Sequence, residues 1–214
     1  MTRSAGVGPA AGAGEDGIAL ICAVMVTMLL SVLGGALVLL STTETLISSH
    51  HRTAQEAFYA ADAGIERAAG TLRRTGDWSA VLVSACAGLM PDLCDRTSPP
   101  RAGDGTLLDL DALTAARQAE SAARYGSRGP VWSLFAHAPL DRIVSLGSIP
   151  SPPYVVVWVA DDVDDPDGDP MHDTNGMLMV RAEGFGAIGA RQAVEVTVAR
   201  ERSEVRLVNW RQVR

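Results

Sequence analysis

The sequence predicts an α+β fold: a long amino-terminal helix packed on a carboxy-terminal antiparallel sheet. Three observations carry this expectation. Ile18–Leu40 reads IALICAVMVTMLLSVLGGALVLL, 23 residues without a charge or a proline. A seven-residue apolar recurrence follows it. The last third of the chain holds four β-rich runs separated by turn-forming residues.

The apolar stretch comes first. As a helix it spans ~30 Å, the thickness of a bilayer's hydrocarbon. A soluble core helix has no need to be apolar all round for so long. A plain membrane anchor or an uncleaved signal sequence satisfies these facts. A cleaved secretory signal fits less well, because its apolar core usually runs about 7–15 residues behind a basic flank. Here the run is longer and follows Glu15-Asp16. Residues 1–17 are rich in glycine and alanine, with Arg3 as their only basic side chain, and read as a leader or a cytoplasmic tail. Gly34-Gly35 marks either a point where the helix bends or a place of close packing against another helix.

The helical pattern continues through residues 41–75. Phe58, Ile65 and Leu72 recur every seven residues, and so do Ala54, Ala61 and Ala68. The two rows form one apolar stripe, with Arg52, Glu56, Asp62, Glu66 and Arg73 mostly off it. A membrane half (18–40) and an amphipathic half (41–75) therefore share one helix, ~85 Å long if it runs unbroken over 18–75. Gly76, after Arg73-Arg74, reads as its terminator.

Residues 76–214 have the length of one modest α+β domain. Cys86 and Cys94 bracket CAGLMPDLC and fit a disulfide in an oxidising compartment, with two free buried thiols as the alternative. Ser98–Gly105 and Ser148–Pro153 read as loops. Leu107–Arg124 reads as a short helix with Leu110, Leu113 and Ala116 on one face. Strands are expected at Tyr154–Ala160, Met177–Glu183, Ala193–Arg200 and Val205–Arg211. Val194, Val196 and Val198 share one face of the third, opposite Glu195 and Thr197. Such a sheet has one face free to cover the helix stripe.

The net charge of −7 comes from one place: Asp161–Asp173 holds seven Asp and no Lys or Arg. No basic stripe points to nucleic acid. Enzyme signatures are absent: no HExxH, no GxSxG, no phosphate-binding glycine loop. His50 and His51 are adjacent and cannot share a metal from one helix face. His137 and His172 are isolated and read as surface residues. Within the acidic segment, Asp165, Asp167, Asp169 and Asp173 occupy positions 1, 3, 5 and 9 of a helix-hand loop. The Met171 carbonyl falls at position 7. Calcium takes about 6–8 oxygen ligands, which such a cluster can supply. Against that register, Gly168 sits at position 4 rather than 6, and position 12 is Gly176 rather than a glutamate. The alternatives are a Ca²⁺ loop and a solvated acidic turn.

GIALICAVMVTMLLSVLGGALVLLS followed by TAQEAFYAADAGIER resembles the amino-terminal region of PilX-like minor pilins of type IV pili. The resemblance covers residues 14–75 and is most specific over Ala57-Phe58-Tyr59-Ala60-Ala61-Asp62-Ala63-Gly64-Ile65-Glu66. It implies a pilin-like fold, with the apolar half of the helix first in the inner membrane and later in the fibre core. It implies cleavage by a prepilin peptidase after Gly17, leaving Ile18 as the new terminus. The leader here ends in Glu15-Asp16, where most pilin leaders are basic. Cys22 stands at the fifth mature position, where major pilins carry a glutamate that pairs with the preceding subunit's amino terminus. A subunit without it suits a fibre tip, where nothing lies ahead. The implied partners are other minor and major pilins, the peptidase, the inner-membrane assembly platform and a tip adhesin. A DxDxDxxxD calcium loop like 165–173 occurs in pilus-tip adhesins. The expected function is a minor pilin that primes assembly or sits at the tip. Two alternatives remain: a tip-class pseudopilin of a type II secretion system, and a membrane-tethered calcium-binding periplasmic module.

Overall fold

A computed structural model describes residues 15–88, 93–94, 98–144, 151–202 and 204–213. The leader before Glu15 lies outside them, as does part of the loop at 148–153. The chain divides into two compact units, Met1–Ser49 and His50–Arg214. Helix α1, Glu15–Leu72, contributes residues to both.

In the first unit α1 is apolar and exposed, with a mean hydropathy of 2.5 over its most apolar window. By length and composition it can cross a membrane. Its hydroxyls suit that setting. Thr27 Oγ1 donates to the Ala23 carbonyl at 2.9 Å and Ser31 Oγ to the Thr27 carbonyl at 2.8 Å. Thr43 and Thr45 bond back one turn in the same way. Each polar hydrogen is satisfied within the helix and needs no water. The helix runs unbroken through Gly34-Gly35, and a Cβ at either glycine would meet nothing within 4 Å.

In the second unit five strands form one antiparallel sheet in sequence order. They are β1 (Ser133–Pro139), β2 (Tyr154–Asp161), β3 (Met177–Phe185), β4 (Arg191–Glu201) and β5 (Glu204–Val213). The last four coincide with the expected strands. Strand β1 was not expected, and neither was helix α2, Ser79–Gly88. Helix α3, Leu110–Tyr125, begins where Asp109 accepts a hydrogen bond from the Ala112 amide at 2.9 Å. It ends at Gly126, whose φ of +68° suits a residue without a Cβ. A one-turn helix α4, Leu140–Ile143, follows β1.

One sheet face packs on α1. Val155, Val157, Val180, Ala182, Val194 and Val196 meet Ala60, Ala61, Ile65, Ala68 and Leu72 in one buried cluster. The predicted stripe is buried along its carboxy-terminal part, while Phe58 and Ala54 are only half-buried. The closest approach is through small residues. A Cβ built on Gly64 would lie 2.7 Å from Val155 Cγ1, and one on Gly184 would overlap the Ala57 carbonyl oxygen. The other face is also covered. Val156, Trp158, Met179 and Phe185 form a second cluster with Leu110 and Leu113 of α3. Burial on both faces explains the unbroken apolar run of β2.

Gly76 is not the terminator, and its φ is not positive. Helix α1 ends at Leu72 in a tighter turn, where the Arg74 amide donates to the Thr71 carbonyl at 2.9 Å and the Thr75 amide to the Leu72 carbonyl at 3.2 Å. Trp78 Nε1 donates to the Leu72 carbonyl at 3.0 Å, and Arg200 donates to the carbonyls of Thr75 and Gly76. The Arg200 guanidinium also lies 4.3 Å from the centre of the Trp78 ring. A cation at this end complements the helix dipole.

Glu195 does not face solvent as its alternation suggests. It is buried and paired with Arg181 at 3.4 Å and with Arg211. Glu183, fully buried beside it, meets Arg117 at 3.2 Å, Arg181 at 3.1 Å and Arg191 at 2.6 Å. His137 is buried as well, with Nδ1 2.9 Å from the Tyr154 hydroxyl. Cys86 and Cys94 are joined, with Cα atoms 5.7 Å apart, and link α2 to the segment that pairs with β1.

Two stability predictions follow from this packing. Gly184→Ala should lower the thermal midpoint by an overpacking cost of roughly 1–3 kcal/mol. Gly70→Ala, a helix site with open space, should raise stability by about 0.5–1 kcal/mol. Equal effects from the two would contradict the close helix–sheet contact. Removing the disulfide by Cys86→Ser with Cys94→Ser should cost roughly 2–3 kcal/mol in denaturant unfolding, the chain-entropy value for so short a loop.

Candidate functional site

The segment between β2 and β3 is built from aspartate side chains that accept backbone amides two residues on. Asp162 accepts from Asp164 at 3.0 Å, Asp165 from Asp167 at 3.2 Å, Asp167 from Asp169 at 2.9 Å and Asp169 from Met171 at 3.0 Å. This repeated turn is what short acidic side chains favour over helix or strand. Gly168 and Gly176 take φ of +66° and +74° where the chain reverses.

Asp165 is the hub. Its Oδ2 accepts the amides of Thr174 at 2.8 Å and Asn175 at 3.2 Å, and its Oδ1 accepts the Thr174 hydroxyl. Burial pushes its carboxyl up, but these donors outweigh burial and lower it to about 2. Asp173 accepts from Gly176 and Met177 and donates its own amide to Ser79 Oγ at 3.1 Å. Burial raises its carboxyl. His172 is exposed and donates from Nδ1 to Asp167 Oδ2 at 2.7 Å, and that bond raises its pKa.

The predicted ligand set is thus divided. One carboxylate oxygen each of Asp161, Asp165 and Asp167 lie within 4.8 Å of one another. Asp169 and Asp173 do not join this group; Asp169 accepts the Met171 amide, and Asp173 accepts the amides of Gly176 and Met177. Asp161 was not among the expected residues. It is the last residue of β2, paired with Leu178, and is 3% exposed. Burial, with Asp165 and Asp162 beside it, pushes its carboxyl up to about 7. The three aspartates line a cavity of about 480 Å³ together with Arg128 and Pro130.

The structure of residues 16–66 is an unbroken helix, apolar and exposed in its first part and alanine-lined against a sheet in its second. The same residues match the family model "PilX N-terminal". The amino-terminal region is similar to that of PilX-like type IV pilins. The match covers about a quarter of the chain and stops before the sheet. No curated protein and no solved structure matches the chain.

The PilX-like motif 57–66 now has a physical reading. Ala57, Ala60, Ala61 and Ile65 are buried, and Gly64 lies against Val155 and Val157 of β2. Phe58 sits edge-on to Trp210, with ring centres 6.1 Å apart, while Tyr59 is 65% exposed. Gly17 and Ile18 are exposed on the first turns of α1, and Cys22 is a free, exposed thiol.

Asp161 gives a pH prediction whose sign is fixed by its raised pKa. Between pH 4 and 7 the folded chain holds a proton at Asp161 that the unfolded chain has released. Its contribution to stability is therefore full below about pH 4 and lost as pH rises through about 7. In chelator, the wild-type thermal midpoint should fall across this window more steeply than that of Asp161→Asn. Parallel curves would show that Asp161 titrates normally.

Proposed function

We propose that this chain is a minor pilin of a type IV pilus, a structural and assembly subunit rather than an enzyme. The observation that carries the reading is the PilX-like match over 16–66, on a helix apolar enough to span a membrane. Before assembly the apolar half anchors the chain in the inner membrane, with the folded unit in the periplasm. After assembly that half enters the fibre core. The joined Cys86–Cys94 pair is consistent with a periplasmic location.

Position at the tip is supported by Cys22. A terminal subunit has no preceding amino terminus to neutralise, so an uncharged side chain at the fifth mature position costs nothing there. In the fibre interior it would leave a buried amine unpaired. The same logic holds for a tip-class pseudopilin of a secretion fibre. The partners of this reading are the other pilins, the prepilin peptidase, the assembly platform and a tip adhesin.

The test is maturation. Co-expression with the peptidase should yield a chain whose mass and first residue correspond to Ile18, and that chain should be recovered with sheared fibres. Gly17→Asp should block both. A wild-type chain that keeps Met1–Gly17 and never enters fibres would overturn the reading.

A further inference from the structure

We propose that Asp161, Asp165 and Asp167 form a calcium site at the end of β2, in a register other than a helix-hand loop. The proposal begins with one atom. Asp161 is buried, and among the described residues its Oδ1 has no hydrogen-bond partner. A buried carboxylate oxygen without a partner is costly. The surrounding turns show how this chain treats its other aspartates. Asp162, Asp165, Asp167, Asp169 and Asp173 each accept specific backbone or side-chain donors. In this segment Asp161 Oδ1 is the one buried carboxylate oxygen without a partner among the described residues, and Asp161 lines the cavity that Asp165 and Asp167 also line.

The spacing fits a cation held between them. Three oxygens no more than 4.8 Å apart share a point within about 2.8 Å of each, close to the calcium–oxygen distance of about 2.3–2.6 Å. The cavity leaves room for waters to complete a shell of about 6–8 oxygens. Magnesium needs contraction to about 2.0–2.1 Å in a near-ideal octahedron. Two of the three ligands resist that contraction. The backbone of Asp161 is held in β2 by its pairing with Leu178, and the Asp165 carboxylate is held by donors from Thr174, Asn175 and Asp167. Calcium, which tolerates irregular geometry, is therefore the ion these residues take. Bound there, it ties the end of β2 to the turns that lead into β3.

The experiment uses the full chain in detergent, with calcium chloride as probe. Calorimetry should give one calcium per chain. At about 5 mM calcium, above the range of about 0.1–1 mM typical of extracellular modules, the thermal midpoint should rise by several degrees relative to chelator. Magnesium should give a smaller shift. Asp161→Asn should weaken calcium binding by about tenfold or more. It should not lower the midpoint measured in chelator, because Oδ1 has no bond to lose. Asp167→Asn gives the same binding readout should the first variant fail to fold. Asp169→Asn, which changes only a turn cap, should keep its affinity within about threefold. The proposal is overturned by the absence of calcium heat and midpoint shift, as a simply protonated Asp161 predicts. It is overturned equally by binding that survives Asp161→Asn and is lost in Asp169→Asn, the helix-hand register.

Discussion

The folded unit depends on one close contact, the approach of the alanine and glycine face of α1 to strands β2 and β3. Gly64 and Gly184 leave no room for a Cβ, and Ala57, Ala60 and Ala61 keep the helix surface flat between them. Small side chains cost less rotamer entropy on burial than large ones, so a backbone-to-sheet contact of this kind is secured at little conformational cost. The branched partners come from the sheet: Val155, Val157, Val180 and Val194 are stiff at χ1 and lose little on packing. The division of labour is clear, with the helix supplying flatness and the strands supplying volume.

The opposite face is held differently. Trp158 and Phe185 pack against α3, and Trp158 Nε1 finds the Thr114 hydroxyl at 2.9 Å. Beyond this apolar patch, Arg117, Glu120, Arg181, Glu183, Glu195, Arg191 and Arg211 form one paired network. Such a network is a weak source of net stability but a strict one of arrangement, since removing one member strands a buried charge. It fixes how α3 lies across β3 and β4.

These two faces explain what was legible in the sequence. Strong local patterns survived: the seven-residue recurrence from Ile65 to Leu72, the unbroken run of β2 and the valine alternation of β4 all became the elements they suggested. Compensation between distant residues did not show. Glu195 looks solvent-facing until Arg181 and Arg211 are seen on the neighbouring strands. His137 looks like a surface residue until strand register brings Tyr154 to it. Strand β1, SLFAHAP, is short and ends in proline, so its alternation is weak, and the α2 sequence, SAVLVSACAG, is apolar or small throughout and shows no helical periodicity. Gly76 carried the usual signal of a helix end, yet the carbonyls there are satisfied by Trp78 and Arg200 from outside the helix.

The acidic segment shows the same limit in its chemistry. Counting positions from Asp165 considers the loop alone, whereas the proposed site also draws on Asp161 at the end of β2. Asp161 belongs to β2 by pairing and is buried, so its place is set by the sheet rather than by the loop. The loop then brings Asp165 and Asp167 to it, while Asp169 and Asp173 are used to close turns. Asp173 also reaches Ser79 at the start of α2, and Gly176 accepts the Arg200 amide at 2.8 Å. Arg200 in turn bonds the carbonyls beyond α1. The aspartate turns are therefore continuous, through single hydrogen bonds, with the residues that end the long helix. A charge held or released at Asp161 acts on a loop already tied to α2 and β4, not on a free surface turn.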